Sequence, residues 1–325
     1  MARRAILQCF QPHLEAGWLG RDSMQGLGFN PVRVDKGDSL SVIVGSMGEI
    51  MKVDSEGRTV GSFSVPFPSQ PTYGTICSGK WIGAWVDRGF KKACMGAIPL
   101  DGELGFGRGR DFLRTMGSSA SDVLPDSCLW TRDIEGEPMG LTSNGEEITF
   151  GVLNTGIYRV DGGANEIWRS PYPQWPELQD FSNVDSIIDM VHTPDGIAIW
   201  SESGGFSLVS EDKGAVLRTE VLKLPERVIG VRFDENIGWM VMMSGRYAAM
   251  MKEIGSEPWI INLPGPMMDC VNAGDGNWKW TGWRHDGIME DGSPRILERE
   301  DIGVSIIGDR VLTNSGRWRG HAFTE

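Results

Sequence analysis

The chain has 325 residues, with 44 Asp and Glu against 31 Lys and Arg, a formal net charge of −13 at pH 7. That balance disfavours bulk affinity for nucleic acid, which rests on neutralising phosphates with Lys and Arg. No apolar run approaches a membrane span, and five scattered cysteines without a CxxC pair argue against a disulfide framework and for a reducing compartment.

The opening MARRAILQCFQPH has two arginines and a short apolar run. A secretory signal needs a longer apolar stretch and a small-residue cleavage site, so a cytoplasmic location is expected. Ala5–Phe10 reads as a strand with no partner nearby in sequence. Gln11–Phe29 is an irregular link whose Trp18 and leucines are expected to pack on a face.

Four-strand units follow. Val32–Val65 is the first and Tyr73–Ile98 the second. Then comes an insertion at about 100–136, in excess of a regular repeat by about 25 residues. Its first half is glycine-rich and basic, with Arg108, Arg110 and Arg114 around Phe112. Met139–Ser170 is the third unit, and a Pro/Trp loop, Pro171–Phe181, carries Trp175. Asp185–Pro264 holds two units end to end, and Met267–Arg299 is the sixth. Val304–Ile307, Val311–Thr313 and Arg317–Phe323 supply only three strands, which the N-terminal strand is expected to complete.

Each unit is four short runs rich in Val, Ile, Phe and Trp, bounded by turn residues, which are strand signals. No segment carries the three-and-four apolar spacing of an amphipathic helix. The first turn of a unit holds pairs such as Asn144-Gly145 and Asp195-Gly196, suited to two-residue hairpins. The second turn is assigned a glycine in every copy: Gly48, Gly89, Gly156, Gly205, Gly245, Gly287 and Gly316, spaced 41, 67, 49, 40, 42 and 29 residues apart. Four strands recurring about every 40–45 residues is the pattern of a propeller blade.

On this repeat grammar the chain resembles the β-propeller superfamily over nearly its full length. It lacks the GH…WD signature of WD40 repeats and the paired glycines of kelch repeats. The resemblance implies an all-β, single-domain β-propeller of four-stranded blades, seven in number with six as the alternative. The N-terminal strand closes the ring by joining the C-terminal blade.

Candidate sites fall into three groups. Asp189 and Asp269 share one column of the inner strand, where the other copies place Arg33, Gly74, Gly140, Gly230 and Ser305. Two carboxylates facing one channel could hold a divalent cation through oxygen ligands. His192 and Asn272 share a second column nearby. Trp18, Trp130 and Trp175 lie in links and are expected to be exposed, joining Arg108, Arg110, Phe112 and Arg114 as partner-binding candidates. Trp81, Trp85, Trp200, Trp239, Trp278 and Trp280 lie in second strands and should pack between blades. Ser210–Gly214 matches the start of the Asp-box, S-x-D-x-G, with Leu217 where its Trp belongs. The chain has no zinc spacing, P-loop, GxSxG elbow or Cys/His nucleophile pair.

Three functions are therefore weighed. The first is a non-catalytic, monomeric interaction scaffold that binds a protein partner through its face loops and needs no cofactor. The second is a metal-dependent, lactonase-like hydrolase or small-ligand binder using the channel, which requires Asp189, Asp269 and His192 to converge. The third is a carbohydrate-binding propeller, which requires Trp on a shallow face. Fold does not choose among them.

Overall fold

The computed structural model describes residues 26–89, 91–116, 123–178, 185–274 and 276–324. Its strands form seven antiparallel sheets, each built in simple chain order. Blade 1 is β1 (Pro31–Asp35), β2 (Leu40–Gly45), β3 (Ile50–Asp54) and β4 (Thr59–Ser64). Blade 2 is β5 (Pro71–Cys77), β6 (Lys80–Asp87), β7 (Lys92–Pro99) and β8 (Trp130–Asp133). Blade 3 is β9 (Pro138–Ser143), β10 (Glu147–Val152), β11 (Gly156–Asp161) and β12 (Glu166–Ser170). Blade 4 is β13 (Ile187–Thr193), β14 (Gly196–Ser201), β15 (Gly205–Val209) and β16 (Val216–Val221). Blade 5 is β17 (Val228–Asp234), β18 (Gly238–Met243), β19 (Tyr247–Met251) and β20 (Trp259–Asn262). Blade 6 is β21 (Met267–Asn272), β22 (Trp278–Gly282), β23 (His285–Glu290) and β24 (Ser293–Glu298). Blade 7 has β25 (Gly303–Ile307), β26 (Arg310–Thr313) and β27 (Trp318–Gly320) among the described residues. The N-terminal strand expected to complete it lies outside them.

The first strand of every blade touches the first strand of the next, and β25 returns to β1, so the ring closes around an axis. Second strands are sandwiched between neighbouring blades. Every residue of β14 and of β18 is buried, whereas the outer strands β16 and β24 are largely exposed. This burial on both faces explains why the second strands read as unbroken apolar runs rather than alternating ones. Trp81, Trp85, Trp200, Trp278 and Trp280 are among the largest fully buried side chains, and Trp239 packs at 5.4 Å from Trp200 across the blade 4–5 boundary. The Asn144–Glu147 turn is tight but is centred one residue later than expected: Asn144 N–H bonds Glu147 O at 3.3 Å, and Gly145 alone takes a positive φ, 97°.

Two assignments are corrected. Trp130 is not in a link: Trp130–Asp133 is the outer strand of blade 2, so the long segment interrupts that blade between its third and fourth strands. Gly287 is not in a turn. It sits inside β23 opposite Trp280, whose indole would occupy the space of any Cβ there, and the turn is Trp283-Arg284.

Candidate functional site

All seven inner strands carry a β-bulge at the same place. Pairing with the second strand slips between Pro31 and Arg33, Pro71 and Tyr73, Met139 and Leu141, and Ile187 and Asp189. It slips likewise between Val228 and Gly230, Met267 and Asp269, and Gly303 and Ser305. A bulge re-aims the side chain it carries. Six of the seven bulged residues, Val32, Thr72, Ile188, Ile229, Met268 and Val304, line the axial cavity, making a mostly apolar collar. The residues just past the bulge are Arg33, Tyr73, Leu141, Asp189, Gly230, Asp269 and Ser305. Tyr73 and Leu141 thus replace Gly74 and Gly140 in the predicted column, displaced by the extra residue.

The two aspartates of this column are latches between blades. Asp189 Oδ2 accepts from Val231 N–H of blade 5 at 2.9 Å, and Asp269 Oδ2 accepts from Ile306 N–H of blade 7 at 2.9 Å. Asp269 Oδ2 also accepts from Ser305 Oγ at 2.6 Å and pairs with Lys36 Nζ at 2.6 Å. Arg232 stands between the two carboxylates, 3.6 Å from Asp189 Oδ2 and 3.3 Å from Asp269 Oδ1. Burial pushes the Asp269 pKa up, but Lys36, Arg232 and Ser305 outweigh it and the net shift is downward. At Asp189 burial outweighs Arg232 and the backbone N–H groups, and the carboxyl is raised. The aspartates do share the channel, but a guanidinium occupies the place between them, and among the described residues no three His, Cys, Asp or Glu groups converge as metal ligands. His192 is not with them. Its Nδ1 pairs with Glu211 at 2.7 Å, while Asn272 bonds Asp234 at 2.9 Å.

Blade 1 repeats the charge pairing. Arg33 Nε donates to Asp35 Oδ1 at 2.8 Å, and its Nη1 donates to the carbonyls of Pro71 and Thr72 in blade 2. Trp81 Nε1 donates to Asp35 Oδ2 at 2.7 Å.

The long segment of blade 2 is a second feature. It leaves β7 with Leu100 N–H on Gly79 O, and the buried Lys52 Nζ holds the carbonyls of Leu100 and Gly102. It then runs along blade 1, where Gly107 N–H donates to Val65 O at 3.0 Å, into a short helix α1 (Arg110–Met116). Arg110 reaches Pro68 O at 3.4 Å and Asp87 at 3.6 Å. The return leg bonds Asp126 N–H to Pro66 O at 2.9 Å. Arg108 lies over the Phe112 ring at 5.1 Å, and Arg114 pairs with Asp111 at 2.9 Å. Phe106, 63% exposed, stands edge-on to Phe63. Met47, 74% exposed, adjoins Gly48, which lies against Ser69 and Phe67 of the blade 1–2 link.

The predicted tryptophans divide. Trp18 lies outside the described residues. Trp130 is half-buried, its Nε1 on Gly162 O at 3.0 Å. Trp175 is corrected: it is buried, with Nε1 on Phe206 O at 3.1 Å and its indole filling the space beside Gly205. Among the described residues the exposed tryptophans are instead Trp283 and Trp259. At the Asp-box-like turn, Trp168 of blade 3 packs on Gly214 and donates to Glu211 O at 2.7 Å, a role the sequence placed at Leu217.

No family model and no curated protein matches this chain. Among solved structures it is similar to the β-propeller domain of Myceliophteria thermophila Cps50 (Swd1), with 12% identity and a TM-score of 0.61 over 91% of this chain and 97% of that one. The WD40 β-propeller domain of Doa1 shares 12% identity at a TM-score of 0.63, over 93% of this chain and 96% of that one. BamB from Moraxella catarrhalis shares 12% at 0.51, over 88% and 82%. This chain is a seven-bladed β-propeller. Identity this low speaks for the propeller alone, and the collar, latches and blade 2 crossing are read from this chain's own residues.

Proposed function

We propose that this propeller is a non-catalytic interaction module that binds a protein partner through the surface built by the blade 2 crossing and its neighbours on blade 1. The carrying observation is the exposure of Phe106 and Phe112 beside Arg108, Arg110 and Arg114 on a segment that backbone hydrogen bonds fix along blade 1, whose β2–β3 turn exposes Met47. Pre-ordered aromatic and arginine side chains are the residues that carry most binding energy at interfaces, because they bury large area at little further ordering cost. A partner surface with apolar pockets and carboxylates matches this composition.

Deleting the segment is a poor test, since Leu100, Val123, Leu104 and Cys128 from it pack into the core with Phe67, Trp81 and Trp85. The test is point substitution. Wild type and Phe106→Ser/Arg110→Ser are used as baits under matched conditions, with thermal unfolding of both recorded. A protein captured stoichiometrically by the wild type and lost by the double variant, with the unfolding midpoint unchanged, supports the reading. Identical capture by both baits overturns it.

A further inference from the structure

The axial cavity, about 660 Å³, is within the size range of small-molecule sites. Its composition changes along the axis. The bulged residues form a collar at the N-terminal ends of the inner strands, and Ile229 there is 39% exposed. Beneath the collar lies a belt of three cations and three carboxylates: Arg33, Lys36 and Arg232 with Asp35, Asp189 and Asp269. The belt is neutral in count but not in presentation. The side chains of Arg33, Lys36 and Arg232 are 26%, 33% and 38% exposed, while those of Asp35, Asp189 and Asp269 are 5%, 25% and 2% exposed. The buried carboxylates have their lone pairs taken up by Trp81 Nε1, Ser305 Oγ, Ile306 N–H and the cations themselves.

The cations are not used up. An ammonium has three donors and a guanidinium five. Lys36 Nζ meets only Asp269, and Arg232 Nη2 meets no acceptor among the described residues. The lumen therefore offers N–H donors backed by fixed charge below an apolar ring. A cation entering it would meet exposed ammonium and guanidinium groups, and a neutral polar ligand would accept from them without supplying the opposite charge.

We infer that the axial cavity is a binding site for a small organic anion with an apolar body, its carboxylate or phosphate on Lys36 and Arg232 and its hydrocarbon against the Ile188–Ile229–Met268 arc of the collar. This site is separate from the blade 2 surface and stands whether or not that surface binds a protein.

The probes are octanoate, octyl phosphate, octylamine and 1-octanol, titrated calorimetrically into the full chain. One or both octyl anions are expected to bind with unit stoichiometry and at least about tenfold more tightly than the amine or alcohol, since charge-assisted hydrogen bonds separate them. Octanoate alone identifies a carboxylate site, and octyl phosphate alone a phosphate-ester site. Ile229→Asp puts a negative charge in the collar at an exposed position, and should weaken the anion about tenfold or more with an unchanged unfolding midpoint. Arg232→Gln should weaken the anion as well, at some cost in stability because Asp269 loses a partner, and Ile229→Asp decides the matter if Arg232→Gln fails to fold. Failure of both anions to bind at millimolar concentration overturns the inference. So does octylamine binding as tightly, or anion binding indifferent to Ile229→Asp.

Discussion

Asp269 of blade 6 and Ile306 of blade 7 are joined by a 2.9 Å hydrogen bond from backbone N–H to carboxylate, and Asp189 and Val231 repeat it one blade pair earlier. In blades 1, 4 and 6 the side chain that follows the bulge, Arg33, Asp189 or Asp269, bonds the next blade. A propeller needs such ties because its blades share no backbone ladder. Asp269 is the heavier tie, since it also neutralises Lys36 and Arg232 and accepts from Ser305.

Asp269→Ala strips two part-exposed cations and two buried neutral donors, Ser305 Oγ and Ile306 N–H, of a shared acceptor, and should cost about 2–3 kcal/mol. Asp189→Ala, whose carboxylate is 25% exposed, should cost about 1–2 kcal/mol. Urea unfolding of the two variants measures both, and equal midpoints would refute the latch. The same geometry bears on a channel metal. A divalent cation between these carboxylates would have to displace Arg232, so elemental analysis of the purified protein is expected to show no stoichiometric calcium, magnesium or zinc.

Gly74 marks the corresponding tie between blades 1 and 2. A Cβ there would fall inside the Asp35 carboxylate and lie 2.7 Å from Trp81 Nε1. Gly74→Ala must push Asp35 away and leave a buried indole N–H unpaired, at about 2–4 kcal/mol. Trp81→Phe loses the hydrogen bond and part of a fully buried ring, and should cost about 2–3 kcal/mol. Gly102→Ala has open space around its Cβ and should leave the unfolding midpoint where it is.

These cases show what could be read from the chain. Strand and turn chemistry repeats locally, so blade count, the buried second-strand tryptophans and the Asp189–Asp269 column were legible. The bulge was not, because an extra residue in a strand leaves no composition signal, and Gly74 and Gly140 were placed one position off. Arg232 was missed for a related reason. It stands two residues past Gly230, and only the ring brings it between carboxylates from the blades on either side. Trp175 looked exposed because proline-rich loops usually are; the notch beside Gly205 that receives it is a tertiary feature. Phe106 had a weak signal, an aromatic side chain between two glycines.

Lys52 tests how firmly the blade 2 crossing is held. Its Nζ is buried and serves two carbonyls of that segment, at Leu100 and Gly102. Lys52→Met keeps most of the volume and orphans both acceptors, at about 1–3 kcal/mol. Limited proteolysis should then cut between 101 and 128 faster in the variant than in the wild type. Phe106→Ala, on a side chain mostly in solvent, should leave that rate unchanged.

The described histidines predict how stability depends on pH. Burial lowers the pKa of His192, His285 and His321 below the ordinary 6.5. Each is neutral in the fold at pH 7. Between its folded pKa and 6.5 the unfolded chain binds more protons than the native one, so stability rises with pH across that window and is lost as pH falls through it. His192 should contribute least, because Glu211 at 2.7 Å favours its charged form and offsets part of the desolvation. His285 should contribute more. Its Nδ1 faces a neutral carbonyl, Trp283 O at 3.2 Å, where His192 has a carboxylate; the buried Nε2 of both lacks a partner among the described residues, so only the Nδ1 contact separates them. The unfolding midpoint should fall steadily from pH 7 to pH 5, and His285→Gln should flatten that slope. A second, steeper loss belongs below about pH 4, where carboxylates held low in the fold, Asp269 among them, take up protons. A midpoint that stays level from pH 7 to pH 5 would mean that these imidazoles take up protons as readily in the fold as in the unfolded chain, and would overturn the burial effect.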